Sequence, residues 1–302
     1  MAMDGGRLAP GAARDWCGTM PVHRRLLDTD PGYARAREEI ETFTFDAARE
    51  EPPPLGLVTI PTVVHVVWSQ PAHNVGDEQV ASQIEGLNRD FRRRNADVSI
   101  LPAVWGPLAA DADLEFSLVD VTRTRTDVAA FDTDDGVKSA ATGGADPVAT
   151  DTHLNLWVCQ LGGGLLGYAQ FPGGPPETDG VVVTHTAFGS SGTAAAPFDL
   201  GRTATHEVGH WLNLRHIWGD DGDGCGGDDF VADTPNQAGP NYGRPTYPKV
   251  SCGNAPHGDM FVNYMDYTDD AAMVMFTRGQ VVRMAAALRG PRSGLLAAAA
   301  AS

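Results

Sequence analysis

Eleven residues constrain this chain more than any others: HEVGHWLNLRH, His206 to His216. His206 and His210 stand four apart, so on a helix both imidazoles leave the same face and can share one metal ion. Glu207 beside the first histidine completes an HExxH pattern, in which the glutamate is the general base for a metal-activated water. His216 follows His210 by six residues, out of phase with that face. It reaches the same metal only if the helix stops and the chain turns back. Asn213 stands where the break is required. A left-handed turn is easiest for glycine, and asparagine is the next most tolerated residue. The stretch predicts a helix end with positive φ at Asn213 and a three-histidine zinc site around it.

The rest of the chain reads as an α/β frame for that helix. IPTVVHVVW, Ile60 to Trp68, is a β-branched run of the kind found in buried strands. Val80, Ile84, Leu87 and Phe91 then recur at helical spacing. Further strands are expected at Leu114 to Val121, Leu154 to Cys159, Gly167 to Phe171 and Val181 to Thr184. The metal-site helix should start near Thr203. Residues 219–270 are rich in Gly, Asp, Pro and Asn, and so long an irregular stretch needs a tether such as a metal or a disulfide. A last helix is expected over Arg278 to Leu288, with Thr277 and Gln280 in capping-box relation. The tail after it is expected to fray. Residues 1–54 look separate: one charged helix starting at Pro31, then a connection stiffened by Pro52 to Pro54.

Composition narrows the function classes. Of 302 residues, 42% are hydrophobic and 20% charged, which is a globular balance. The formal charge of −17 argues against a nucleic-acid partner. No apolar run approaches the roughly 20 residues of a membrane span. The N-terminal stretch lacks the basic start and apolar core of a secretory signal, so an export signal is expected to lie outside it.

HEVGHWLNLRH resembles the metzincin signature HExxHxxGxxH, with Asn213 in the glycine position. NYMDY, Asn263 to Tyr267, resembles the methionine turn that follows it, with Met265 as its methionine. GRTATHEVGHWLNLRHIWGD, DDFVADTPNQ and NYMDYTDDAAMVMF together resemble the pappalysin branch. The resemblance spans roughly residues 57 to 290, plus a short piece near Cys17. It implies a metzincin-type fold: a twisted, mostly parallel five-stranded sheet, an active-site helix, and an irregular C-terminal subdomain. It also implies a zinc endopeptidase with peptide or protein substrates. Expected divisions are a pro-segment over 1–54, an N-terminal catalytic subdomain over 55–216 and a C-terminal one over 217–302.

Site roles follow from the same resemblance. His206, His210 and His216 would hold zinc, and Glu207 would move the water's proton. Tyr267 would steady the tetrahedral oxyanion. Gly167, Tyr168 and Ala169 would form the edge strand that receives a peptide. Asp270 would face the residue after the cut and favour Arg or Lys there, at P1′. Cys17, in DWCGTM, would ligate zinc in a latent form, and cleavage between Ala48 and Arg49 would release the leader. Asp229, Val231, Asp233 and Thr234, in a stretch with six aspartates among residues 219–235, would bind calcium. Cys225 and Cys252 flank that region and could close it with a disulfide, which an exported enzyme allows. Cys159 is expected to be a buried free thiol, and Ala272 replaces a family cysteine. A secreted monomer is the expected form. Two other readings stay open here: a zinc amidohydrolase acting on small molecules, and a catalytically silent binding module.

Overall fold

The computed structural model describes residues 16–50, 53–220 and 224–301, so Asp221 and Asp223 of the acidic stretch lie outside the described residues. Two helices come first, α1 (Thr19–Thr29) and α2 (Pro31–Glu50). Strand β1 (Val58–Trp68), helix α3 (Asp77–Phe91), and strands β2 (Ala109–Ala110), β3 (Leu114–Arg125), β4 (Leu154–Cys159), β5 (Gly167–Ala169) and β6 (Val181–Thr184) follow. Helix α4 (Arg202–Trp211) carries the metal motif, and β7 (Phe276–Thr277), α5 (Arg278–Arg289) and α6 (Ser293–Ala301) complete the order.

The main sheet has the order β3-β1-β4-β6-β5. Its first four strands are parallel, and β5 runs antiparallel to β6 at the edge. β4 and β6 are buried at every position, which is why they read as continuous apolar runs. Pro61 sits in central β1 without breaking the sheet. Pairing with β4 begins only at Thr62, so the missing N–H falls where β1 has β3 alone beside it. Val80, Ile84, Leu87 and Phe91 of α3 are all buried, as their spacing predicts. Thr277 and Gln280 form the expected capping box at α5.

Four expectations need correction. β5 stops at Ala169, short of Phe171. The N-terminal segment holds two helices rather than one. Pro21 falls in the first turn of α1, where a missing N–H costs nothing, and Val22 and Leu26 one turn apart bury its inner face. β3 runs on to Arg125, because its pairing with β1 continues to Trp68. The tail is not frayed but forms α6, with Leu295 buried. Its Ala-rich sequence has no periodicity to announce that. The anchor is Arg292, just before it. Arg292 meets both oxygens of buried Asp179 (2.7 and 2.9 Å), donates to the Trp211 carbonyl at 2.7 Å and lies over the Trp211 ring.

Breaking a buried ion pair from one side leaves an uncompensated charge, typically about 3–5 kcal/mol. Arg292→Ala should therefore lower the unfolding free energy by that order, read as a lower urea midpoint at unchanged slope. Arg94→Ala, which removes an exposed partner of Glu115, should change stability by less than about 0.5 kcal/mol. Equal effects of the two substitutions in urea titration would refute the anchoring role of Arg292.

Candidate metal centre and active site

α4 delivers His206 and His210 from one face and ends at Trp211. Asn213 then adopts φ 75°, and Leu214 N–H donates back to the Gly209 carbonyl at 2.9 Å. That left-handed step brings His216 beside the other two. The three Nε2 atoms lie 3.0–3.1 Å apart. Each Nδ1 has its own acceptor: the Tyr264 carbonyl for His206 at 2.7 Å, the Leu214 carbonyl for His210 at 2.8 Å, and Asp220 Oδ1 for His216 at 2.6 Å. These acceptors fix the protons on Nδ1 and leave three lone pairs facing one another. Burial holds all three imidazoles neutral, with His206 and His216 brought down to about 3. Three convergent lone pairs repel unless a cation sits among them. Zinc–nitrogen bonds of about 2.0–2.1 Å place tetrahedral ligands roughly 3.3 Å apart, close to the spacing here. The residues fit zinc.

Cys17 Sγ joins them: the four ligand atoms lie within 4.8 Å of one another, the one such group among the described residues. Cys17 also donates to Glu207 Oε2 at 3.4 Å, and Thr19 Oγ1 donates to the same oxygen at 2.8 Å. Burial, reinforced by Glu207, pushes the Cys17 thiol well up from its ordinary value. Met265 is fully buried beneath the helix, and a Cβ on Gly209 would come within 2.5 Å of its sulfur, so the motif needs a glycine at that position. The Tyr267 ring packs 4.9 Å from His216 and 5.7 Å from His206.

β5 faces two ways. The Leu166 carbonyl and Gln170 N–H turn toward β6, whereas the Gly167 carbonyl and Ala169 N–H turn to the open edge. There they meet Gly18 N–H and Thr19 Oγ1, each at 2.8 Å, and Cys17 bridges Gly167 in the parallel direction. Of the three expected edge residues, Tyr168 directs its side chain into the core, under Lys138. Gly167 is required for closeness, since a Cβ there would meet Glu207 Cγ at 2.9 Å.

Asp270 lines a narrow cleft next to the histidines, together with Trp16, Phe198, Tyr267 and Met273. Its Oδ2 accepts from Leu200 N–H at 2.7 Å, while its buried Oδ1 has no hydrogen-bond partner among the described residues. Burial raises Asp270 to about 7 against the pull of the Leu200 and Arg202 N–H groups.

In the acidic stretch, Thr234 Oγ1 lies within 2.8–2.9 Å of both Asp229 oxygens and the Val231 carbonyl. Asp233 is drawn elsewhere: its two oxygens accept from Thr277 Oγ1 and Gly279 N–H at the start of α5. Cys225 and Cys252 form a disulfide, and Cys159 is a buried free thiol. Sequence reasoning missed Thr19, Asp220, Trp16 and Trp218, the last of which stacks on His216 at 4.3 Å. Asp220, four residues past a ligand, was the one with a local signal. It was hidden among the other aspartates.

The pappalysin model, described as pregnancy-associated plasma protein-A, matches residues 166–289. The chain is 33% identical to Extracellular metalloprotease 1 of Coccidioides posadasii over 95% of its length and 93% of that protein's. It is 34% identical to an extracellular metalloprotease of Arthroderma otae, over 78% of this chain and 80% of that one. Among solved structures it resembles a promirolysin variant of Tannerella forsythia, with TM-score 0.87, 44% identity, and coverage of 94% of this chain and 98% of that one. Mature mirolysin of Tannerella forsythia in complex with a cleaved peptide gives TM-score 0.78 and 49% identity over 80% of this chain and 96% of that one. With its three-histidine site, mostly parallel sheet and extracellular relatives, the chain belongs to the pappalysin family of metzincin metalloendopeptidases.

Proposed function

We propose that this chain is a secreted zinc endopeptidase held latent by its own N-terminal residues, with Glu207 as general base and a preference for Arg or Lys just after the cut. The observation that carries the reading is the placement of Cys17 with the three histidines while residues 16–19 occupy the open edge of β5. A substrate would lie antiparallel to that edge, using the Gly167 carbonyl and Ala169 N–H. The leader runs the other way, so its backbone fills the same groove in an orientation unsuited to cleavage. Thr19 also donates to Glu207, the group that must accept a proton. The disulfide fits an oxidising exterior.

Zinc, when bound, supplies a Lewis acid that lowers the pKa of water toward about 7 and polarises the scissile carbonyl. Once the leader leaves, Glu207 is free to take the proton of the attacking water and to return it to the departing amine. The Tyr267 ring packs against His206 and His216, which supports the reading of its hydroxyl as the donor to the oxyanion. Asp270 Oδ1 awaits a donor in the adjoining cleft, and an Arg or Lys after the cut would supply one. Ala48 and Arg49 are exposed in the last turn of α2, so a second copy with this preference could remove the leader there.

Mass spectrometry of a peptide library tests these roles together. The activated enzyme should cut before Arg and Lys, and Glu207→Ala should lower kcat by at least about 100-fold. A Glu207→Ala proenzyme, kept apart from active enzyme, should not mature; maturation at the unaltered rate would exclude self-processing. Asp270→Ala should cost roughly 10–100-fold in kcat/KM for Arg after the cut, as expected for a charge-assisted bond. The facing charges are Arg202 and Asp90, and Arg202 is itself paired with Asp97. Asp270 is charged only above its raised value of about 7, so selectivity for Arg over a neutral residue should fall as pH drops through that region. Selectivity that is flat from pH 6 to 8 would leave Asp270 without this role.

We propose calcium on the oxygens of Asp229, Asp233, Thr234 and the Val231 carbonyl, with Asp233 also accepting from the start of α5. Burial raises Asp229 to about 7, and a hard cation would favour its charged form. Calcium should raise the thermal midpoint of the full chain, and Asp229→Asn should abolish the gain. An unaltered midpoint with and without calcium would remove the assignment.

A further inference from the structure

Leader helix α2 reaches the protein far from Cys17, and does so with charge. Glu41 accepts from Arg283 Nη2 at 2.5 Å through Oε2, and from Arg37 of its own helix through Oε1. Arg283 is buried on α5, and its Nε donates to the Asn213 carbonyl at 2.7 Å. Arg215, beside the third histidine, lies over the Phe230 ring at 4.5 Å, and Arg283 lies over the same ring at 5.8 Å. Phe230 in turn packs edge-on against Phe45 of α2. Burial would raise the Glu41 carboxyl, but Arg283, Arg37 and Arg215 together bring it below its ordinary value. In a chain of formal charge −17, this is a concentrated cationic spot with a carboxylate already seated in it.

Arg37 and Glu41 depart with the leader, whereas Arg215, Arg283 and Phe230 belong to what remains. The place can be located along the cleft. Phe171, just beyond β5, touches His210 on one side (5.4 Å) and Arg37 on the other (5.1 Å), and Glu41 is one helical turn past Arg37. A substrate running antiparallel to β5 would have its residues N-terminal to the cut on this side.

We propose that Arg283 and Arg215, over the Phe230 ring, form a carboxylate-binding site of the leader-free enzyme, which takes an acidic side chain of the substrate N-terminal to the scissile bond. Glu41 is the built-in occupant of that site. Because Arg283 also holds the Asn213 carbonyl, an anion bound there steadies the turn that carries His216. The proposal rests on the latent-enzyme reading above, and two readouts separate their failures.

The first uses the activated enzyme and peptide pairs that share Arg after the cut but carry Glu or Gln at successive positions before it. At one register the Glu peptide should be cut about tenfold faster in kcat/KM, in line with one charge-assisted bond. Arg215→Gln should bring that Glu-to-Gln ratio near one. The second readout needs no activity. Leader-free Glu207→Ala protein, matured by added active enzyme, should gain thermal midpoint with glutarate, and the Glu207→Ala, Arg215→Gln double variant should not. Peptide discrimination without a glutarate effect still supports the site and assigns it to peptide side chains. A glutarate effect with no peptide discrimination overturns the substrate role and leaves a free-carboxylate site. If neither appears at any register, the two arginines serve only to hold the leader.

Discussion

Three imidazole lone pairs aimed at one point are the constraint around which this protein is arranged. Such a cluster is costly alone, because the nitrogens repel and burial forbids protonation as an escape. Two devices hold it together. Each Nδ1 is bound to a fixed acceptor, and the Asn213 turn reverses the chain within three residues of His210. The methionine turn presses Met265 against Gly209 from below, so the helix cannot relax away from the ligands. The sheet then sets its edge strand beside Glu207, with no side chain at Gly167 to hold them apart.

The N-terminal segment is fitted to this centre at several separated points. Cys17 and Thr19 approach Glu207, Trp16 enters the cleft beside Asp270, and the Asn213 side chain accepts from Arg37 at 2.8 Å. A glycine at position 213 would make the turn more easily but could not receive Arg37. Asparagine thus serves the backbone and the contact with Arg37 at once. The same helix places Glu41 on Arg283, which holds the carbonyl of Asn213, so the N-terminal segment grips this turn from both its side chain and its backbone.

Much of this was legible from local patterns. The histidine spacing carried the convergence of His206, His210 and His216 and the positive φ at Asn213, because both are settled within eleven residues. Leu154 to Cys159 and Val181 to Thr184 are strands at the residues expected, since strands covered on both faces show as unbroken apolar runs. What was missed depends on partners far away in the chain. Thr19 meets Glu207 across 188 positions, and nothing near either residue announces the pair. α6 owes its order to Arg292 on Asp179 rather than to any period of its own. Asp233 reads as one more acid of an irregular loop in sequence, and nothing near it announces that its oxygens accept from Thr277 and Gly279 at the start of α5.

The central claim is that the leader's thiolate completes the metal site of the full-length chain. X-ray absorption at the zinc edge tests it most directly. The account predicts three nitrogen ligands and one sulfur at about 2.3 Å in the full chain, with the sulfur replaced by a light atom in Cys17→Ser and after leader removal. A full-length chain whose zinc shows only nitrogen and oxygen neighbours would contradict it.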